Sequence, residues 1–314
     1  MAFLVTGALG CIGAWTVKTL VEQGERVVTF DLPGEPRRLR AIMTEAQLAQ
    51  VTFATGDVTS LDSVGGVLDE HGITNVIHLA AMQVPFVRAE PINGSLVNVT
   101  GTVNVFEAVK ARRERIQAPI VWASSAAVFS LEDAAQCAVD EQTRSLPGTL
   151  YGVFKQANEG TARVYHAESG IPSIGLRPYT VFGPGRDQGV TAGPTHAMQA
   201  AARGEEYRIS YGGNIFLNYA PDVARSIVQA STSGYTGQGT FNSPGEAAHM
   251  RDLVAAIKAA VPGSHGNITF DDTPLPFPEA LATGGLEAAV GAPVPITPLA
   301  QAVAETVAHF RAQG

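Results

Sequence analysis

The sequence predicts an α/β protein, a doubly wound parallel sheet followed by a smaller lobe. Short apolar runs alternate with helical patterns through residues 1–177, recurring every 20-odd residues at first, which favours parallel pairing through right-handed crossovers. Near-continuous apolar strands such as Val76 to Ala81 fit a sheet covered by helices on both faces. Beyond Arg177, prolines and glycines cluster at Pro178, Gly183, Pro184, Gly185, Gly189, Gly193 and Pro194, and again at Pro274, Pro276 and Pro278. A loop-rich lobe is expected there, over 178–216 and 244–314, with a segment near 217–243 returning to the first domain.

The first strand, Phe3-Leu4-Val5, runs into Thr6-Gly-Ala-Leu-Gly-Cys-Ile-Gly13, and a helical pattern from Ala14 to Val21 runs out. Gly24 is a helix stop, and Arg26 to Phe30 reads as the second strand. Gly7 permits a tight turn, Gly10 a close backbone approach to a pyrophosphate, and Gly13 close packing of helix on strand. The helix N–H groups and dipole then face the phosphates. A glycine triplet alone is weak evidence. After a strand, before a helix and upstream of Asp31 at the end of strand two, it indicates a dinucleotide site.

A short helix is expected around 36–49, a strand over Val51 to Val58, and a helix over 60–71 ending at Gly72. Asn75 to Ala81 is strand four, a long helix follows near 95–113, and Pro119 to Ala123 is strand five, closing on Ser124-Ser125. A helix over 150–168 stops at Gly170 before Ser173 to Leu176, strand six. Later helices are expected near 194–203, 221–234, 249–260 and 299–311, with Thr240-Phe241-Asn242 returning a strand to the main sheet.

Hydrophobic content of 45% and charged content of 16% describe a compact chain that is not disordered. A net charge of −8 argues against nucleic-acid binding, which needs a basic surface. Two cysteines, Cys11 and Cys137, make no disulfide framework, so a reducing cytoplasm is expected. No run approaches 18 apolar residues, so no membrane partner is expected. The seven histidines never fall at metal-ligand spacing, so no metal site is expected either.

Tyr151-Gly-Val-Phe-Lys155 is the second constellation. On a helix, i and i+4 share a face, so phenol and ammonium lie side by side. A tyrosine near pKa 10 is a poor base at neutral pH, and an adjacent cation lowers that value. Ser125, at the end of strand five, is placed to hydrogen-bond the same substrate oxygen. Serine, tyrosine and lysine then form a relay that takes a hydroxyl proton while hydride leaves carbon. The pair alone is a common surface pattern; the glycine loop upstream and the strand-end serine give it meaning.

The glycine loop, Asp57-Val58, His78-Leu79-Ala80-Ala81, Asn98-Val-Thr-Gly-Thr102, Ser124-Ser125, Tyr151-x-x-x-Lys155 and Arg177-Pro178 together resemble the extended short-chain dehydrogenase/reductase family, in its NAD-dependent epimerase/dehydratase branch. The likeness covers residues 2–185 well and the remainder loosely, through Tyr219-x-x-Asp222-Val-Ala and the closing helix. It implies a Rossmann dinucleotide-binding domain with a C-terminal substrate-binding lobe. By position it implies that Gly7, Gly10 and Gly13 hold the pyrophosphate, Asp31 the adenosine ribose, and Asp57 and Val58 the adenine. Cys11, Ile12, Leu79, Ala80, Ala81 and Asn98 would complete the cofactor cleft, with Tyr151 and Lys155 at the nicotinamide ribose. Ser125, Tyr151 and Lys155 would be catalytic, and Gln83, Ser125, Thr180 and Arg186 would meet substrate. The helices near 95–113 and 150–168 imply a homodimer. A carboxylate at Asp31 repels a 2′-phosphate, so NAD is favoured over NADP, with Arg37 and Arg38 leaving NADP a minor option.

Departures from the pattern narrow the reaction. Dehydratases of this family carry an Asp-Glu pair where Ala126 and Ala127 stand, so elimination lacks its proton pair. Thr180 replaces a common asparagine, Ile215 and Phe216 a common Arg-Asp, and there is no Lys or Arg between Lys258 and Arg311 to meet a diphosphate. The expected activity is therefore NAD-dependent oxidoreduction of a secondary alcohol or ketone on a small sugar, sugar acid or polyol. An epimerase with transient oxidation is the alternative, and a non-catalytic dinucleotide sensor the alternative of another class. Cys11 is expected to be a space-filler beneath the cofactor, His78 a hydrogen-bonded core residue, and Arg186 a carboxylate partner or a solvated loop residue.

Overall fold

The computed structural model describes residues 1–130, 139–263, 267–294 and 296–313, so Cys137 lies outside the described residues. The chain begins with β1 (Ala2–Thr6), α1 (Cys11–Glu22) and β2 (Arg26–Asp31), the expected glycine-turn unit. The helix expected over 36–49 is two, α2 (Arg37–Ile42) and α3 (Glu45–Leu48). Met43 between them is extended, and Thr44 opens α3 with a reciprocal capping box to Gln47, a restart signal inside one polar stretch. β3 (Val51–Thr55), α4 (Leu61–Glu70) and β4 (Asn75–His78) follow.

After α5 (Val84–Ala89), the long helix starts at Pro91 rather than near 95: α6 (Pro91–Ser95), a π turn over Leu96–Thr100 and α7 (Gly101–Lys110). Proline suits a first helical position, where no N–H partner exists. Beyond β5 (Ile120–Ala123) and a single 3₁₀ turn at Ala126–Val128, α8 (Leu150–Ser169) leads to β6 (Ser173–Arg177). The remainder comprises β7 (Thr180–Phe182), α9 (Gly193–Arg203), β8 (Tyr207–Ile209), β9 (Asn214–Tyr219), α10 (Ala220–Thr232), β10 (Gln238–Asn242), β11 (Glu246–His249), α11 (Met250–Ala260), β12 (Ile268–Phe270), α12 (Gly285–Val290) and α13 (Leu299–Gln313).

The main sheet is seven-stranded and parallel, in the order β10-β6-β5-β4-β1-β2-β3, so Thr240 to Asn242 does return to its edge beside β6. Alternate side chains of each strand serve opposite faces. Phe3 and Val5 pack with Val17, Val21, Val223 and Ile227 under α1 and α10, whereas Leu4, Val28 and Val76 pack with Val64, Leu68, Val105 and Phe106 under α4 and α7. A second core, around Met198, Ile209, Leu253, Ile257, Val303 and Val307, holds α9, α11 and α13 together. Beside it lie a three-stranded sheet, β11-β9-β7, and the parallel pair β12-β8. Asp222 joins the two cores: its buried carboxylate accepts the Thr297 N–H at 2.7 Å and the Thr297 hydroxyl at 2.9 Å, ahead of α13. Among the described residues no helix is long and apolar enough to cross a membrane.

Candidate active site

Strand order reverses between β1 and β4, and in such sheets ligands bind outside the strand ends at that point. A cleft of about 930 Å³ opens there. Gly7, Gly10, Cys11, Ile12, Gly13, Asp31, Asp57, Val58, Leu79, Ala80, Ala81, Gln83, Ser125, Tyr151, Lys155 and Arg186 all line it. Chain segments far apart in sequence meet because parallel strands deliver their carboxyl ends to one side.

The glycine turn has no room for side chains. Gly7 has φ +68°, and a Cβ there would stand 2.5 Å from the Ala80 nitrogen; one on Gly13 would stand 2.2 Å from the Gly7 carbonyl oxygen. α1 has no side-chain cap and no acid in its first turn, so its N–H groups and positive dipole end remain available to an anion. Asp31 Oδ2 accepts the Leu9 N–H at 3.0 Å. Burial pushes its carboxyl up to about 6, against the backbone hydrogen bonds from Leu9 and Ala8. A cradle for phosphates beside a carboxylate with acceptor capacity left fits a dinucleotide.

Arg38 is spoken for. It donates to the Leu9 carbonyl at 2.8 Å and the Gly185 carbonyl at 3.0 Å, and pairs with Asp187. Trp15 Nε1 donates to the Pro184 carbonyl at 2.8 Å. The loop over 183–187 is thus strapped to the glycine turn. Cys11 lies beneath it, its thiol pushed up to about 11 by burial, which suits an inert space-filler better than a nucleophile.

At the other end of the cleft, the Tyr151 phenol hydrogen-bonds Ser125, whose Oγ also accepts the Ala127 N–H at 3.1 Å. Lys155 Nζ donates to the Ala123 carbonyl at 2.7 Å and lies 5.6 Å from the Tyr151 ring centre. Burial brings Lys155 down to about 8 and raises Tyr151 above its usual value. The expectation that the neighbouring ammonium lowers the phenol is corrected here. Burial outweighs the opposing influences, which are the Ser125 hydrogen bond and the Arg186 charge. Arg186 itself has a buried Nε with no hydrogen-bond partner among the described residues, while Nη2 reaches the Thr191 hydroxyl at 3.3 Å. Tyr179 and Phe277, edge-on at 5.8 Å, close the wall.

Two expected contacts stand apart from the cleft. Asn98 is spent on Met82, accepting its N–H at 2.7 Å and donating to its carbonyl at 3.0 Å, so it props the loop after β4 from behind. Thr180 is fully buried on β7. Strand alternation turns Tyr179 and Val181 to the cleft and Thr180 away. His78 is a core residue, its ring nitrogens 2.8 and 3.1 Å from the Thr6 and Thr102 hydroxyls, and burial brings it down to about 3, so it is neutral. Leu9, Tyr179 and Phe277 escaped the sequence reading, and Arg38 entered it only as a partner for a 2′-phosphate, since no local pattern marks a backbone donor or a loop strap.

A family model described as the NAD-dependent epimerase/dehydratase family matches residues 3–243. The chain belongs to that family. The UDP-glucuronate 4-epimerase 6 of Arabidopsis thaliana is 32% identical over 188 residues, 59% of this chain and 40% of that protein. The chain thus aligns with only about two fifths of that relative. Among solved structures, a partial-consensus L-threonine 3-dehydrogenase superposes with TM-score 0.84 and 25% identity, covering 99% of this chain and 100% of that one. The UDP-glucose 4-epimerase of Thermus thermophilus, in complex with NAD, gives 0.79 and 24%, covering 99% of each.

Proposed function

We propose that this member of the NAD-dependent epimerase/dehydratase family is an oxidoreductase acting on a secondary alcohol or ketone of a sugar-type substrate, and that the substrate bears a carboxylate. The observation that carries the second part is Arg186: a guanidinium beside Tyr151 whose buried Nε–H has no partner among the described residues is a ready partner for a planar anion. The first part rests on Ser125, Tyr151 and Lys155 meeting the glycine-turn cleft.

Gly7, Gly10 and Gly13 would hold the pyrophosphate of NAD, Asp31 the adenosine ribose, Asp57 and Val58 the adenine, and Lys155 the nicotinamide ribose. NAD, when bound, would supply the hydride acceptor for the carbinol carbon. Ser125 holds the substrate oxygen, and the Tyr151 phenolate takes its proton. Lys155, anchored on the Ala123 carbonyl one helical turn from Tyr151, would hold the ribose and the phenol side by side. Ala126 and Ala127 offer no acid and base for elimination, in keeping with redox chemistry alone.

The epimerase reading, in which the carbon is oxidised and then re-reduced on the opposite face, is favoured by the relative named a UDP-glucuronate 4-epimerase. A panel of aldoses, polyols, aldonates, uronates and UDP-uronates incubated with NAD separates the two. Net NADH absorbance is expected with an acid. Interconverted epimers without NADH would establish the epimerase, and inertness towards every acid would defeat the proposal.

We also infer a homodimer in the cytoplasm. Phe86, Ile92, Leu96, Leu150, Val153 and Val164 are exposed on α5 to the π turn and on α8, an apolar surface suited to a second copy.

A further inference from the structure

Behind Tyr151 and Lys155 lies a buried ion pair that does not line the cleft. Arg177 Nε and Nη2 donate to the two carboxylate oxygens of Glu159 at 2.8 and 2.7 Å, the side chains being 4% and 14% exposed. The guanidinium also rests on the Phe129 ring, 5.0 Å from its centre. Glu159 Oε1 accepts a third hydrogen bond, from Ser124 Oγ at 2.6 Å. Ser124 in turn donates its N–H to the Leu176 carbonyl at 2.7 Å. One carboxylate on α8 therefore grips the ends of β5 and β6 at the residue before Ser125.

Stability alone is a poor account of this pair. Buried ion pairs lose as much by desolvation as they gain by attraction, and apolar replacements serve stability equally well. A bidentate arginine instead fixes direction and distance. Glu159 also lies one helical turn beyond Lys155, and its charge opposes the burial that draws protons from that lysine. Among the described residues, the other groups around Lys155 include the Ala123 carbonyl, the Tyr151 ring and neutral His78. Beyond Glu159 and Arg177, a separate cavity of about 1010 Å³ is lined also by Glu141, Arg144 and Arg163.

Building on the reading of Ser125, Tyr151 and Lys155 as the reactive group, we propose that Glu159, held by Arg177, is a positioning residue: it fixes Ser125 against α8 and keeps a negative charge one turn from Lys155. Geometry and charge are then supplied by the same carboxylate.

The chain has four lysines, Lys18, Lys110, Lys155 and Lys258, so side-chain NMR of the full-length protein follows Lys155 without a substrate. The variant Glu159→Gln with Arg177→Gln keeps amide hydrogen bonds and leaves no buried charge unpaired, which protects the fold. Its Lys155 midpoint is expected to fall by about one unit. Glu159→Asp keeps the charge but is one methylene short, so its Lys155 midpoint stays near wild type. On the substrate found by the panel, both variants are expected to lose about tenfold or more in kcat, with KM for NAD within about twofold. An unmoved Lys155 midpoint in the double variant, or wild-type kcat in Glu159→Asp, overturns the proposal. Because the NMR arm uses no substrate, an inert panel would sink the functional reading and leave this test standing.

Discussion

If Asp31 holds the adenosine ribose as proposed, one carboxyl group would tie cofactor choice to pH. Its folded value, about 6, lies above the ordinary carboxylate value, so in the free protein it adds stability at low pH that is lost as pH rises through 6. Ribose hydroxyls would donate to the ionised form, so NAD binding there would have to expel that proton in acid. Affinity for NAD, followed by fluorescence, is expected to fall about tenfold between pH 7 and pH 5, and Asp31→Asn should flatten the profile. Asp31→Ala should weaken NAD and relax its preference over NADP; an unchanged ratio would remove Asp31 from that role. Tyr151→Phe deletes one oxygen and leaves Lys155 on Ala123, so turnover should drop about a hundredfold or more with NAD affinity scarcely altered. Near-normal turnover in a folded variant would assign the base elsewhere. Motif spacing makes the gathering of Gly7, Asp31, Tyr151 and Lys155 in one cleft legible, but not the direction of individual side chains. Thr180 faces away because of strand alternation, and Asn98 is absorbed by Met82; neither fact has a local signature.

α8 is the element on which the site depends. Gly152, next to Tyr151, lets its first turn press against the 3₁₀ turn after Ser125: a Cβ there would lie 2.2 Å from the Ala127 carbonyl oxygen and 2.7 Å from Pro147. Gly152→Ala should cost about 1–3 kcal/mol in chemical denaturation and lower kcat by pushing Tyr151 off Ser125. A variant with wild-type stability and turnover would show that the helix yields without consequence. Apolar periodicity made α8 and the parallel strands readable. It did not reveal the break at Met43, where a capping box wins locally, or the π turn at Leu96–Thr100. There the Asn98 side chain reaches Met82 while its carbonyl takes a hydrogen bond from Asn158 at 2.8 Å, a tertiary demand that helical period does not encode.

At the scale of the whole molecule, the order of the main sheet follows from alternating strands and helices, whereas the β11-β9-β7 sheet joins segments with no periodic relation. The apolar surface over α5, α6 and α8 gives the dimer its test. Light scattering at micromolar concentration should report two chains, and Val153→Arg, on an exposed position, should report one. A monomeric wild type rules the dimer out. The strap from Trp15 and Arg38 to residues 184, 185 and 187 connects the two ends of the cleft, because Arg186 sits within it. Filling the glycine turn would therefore steady Arg186, the proposed partner of the second reactant. Kinetically a compulsory order is expected, dinucleotide before acid, with the reduced dinucleotide competing against NAD and the keto product inhibiting it non-competitively. Arg38→Ala should loosen the order towards random addition, seen as a change in those product-inhibition patterns.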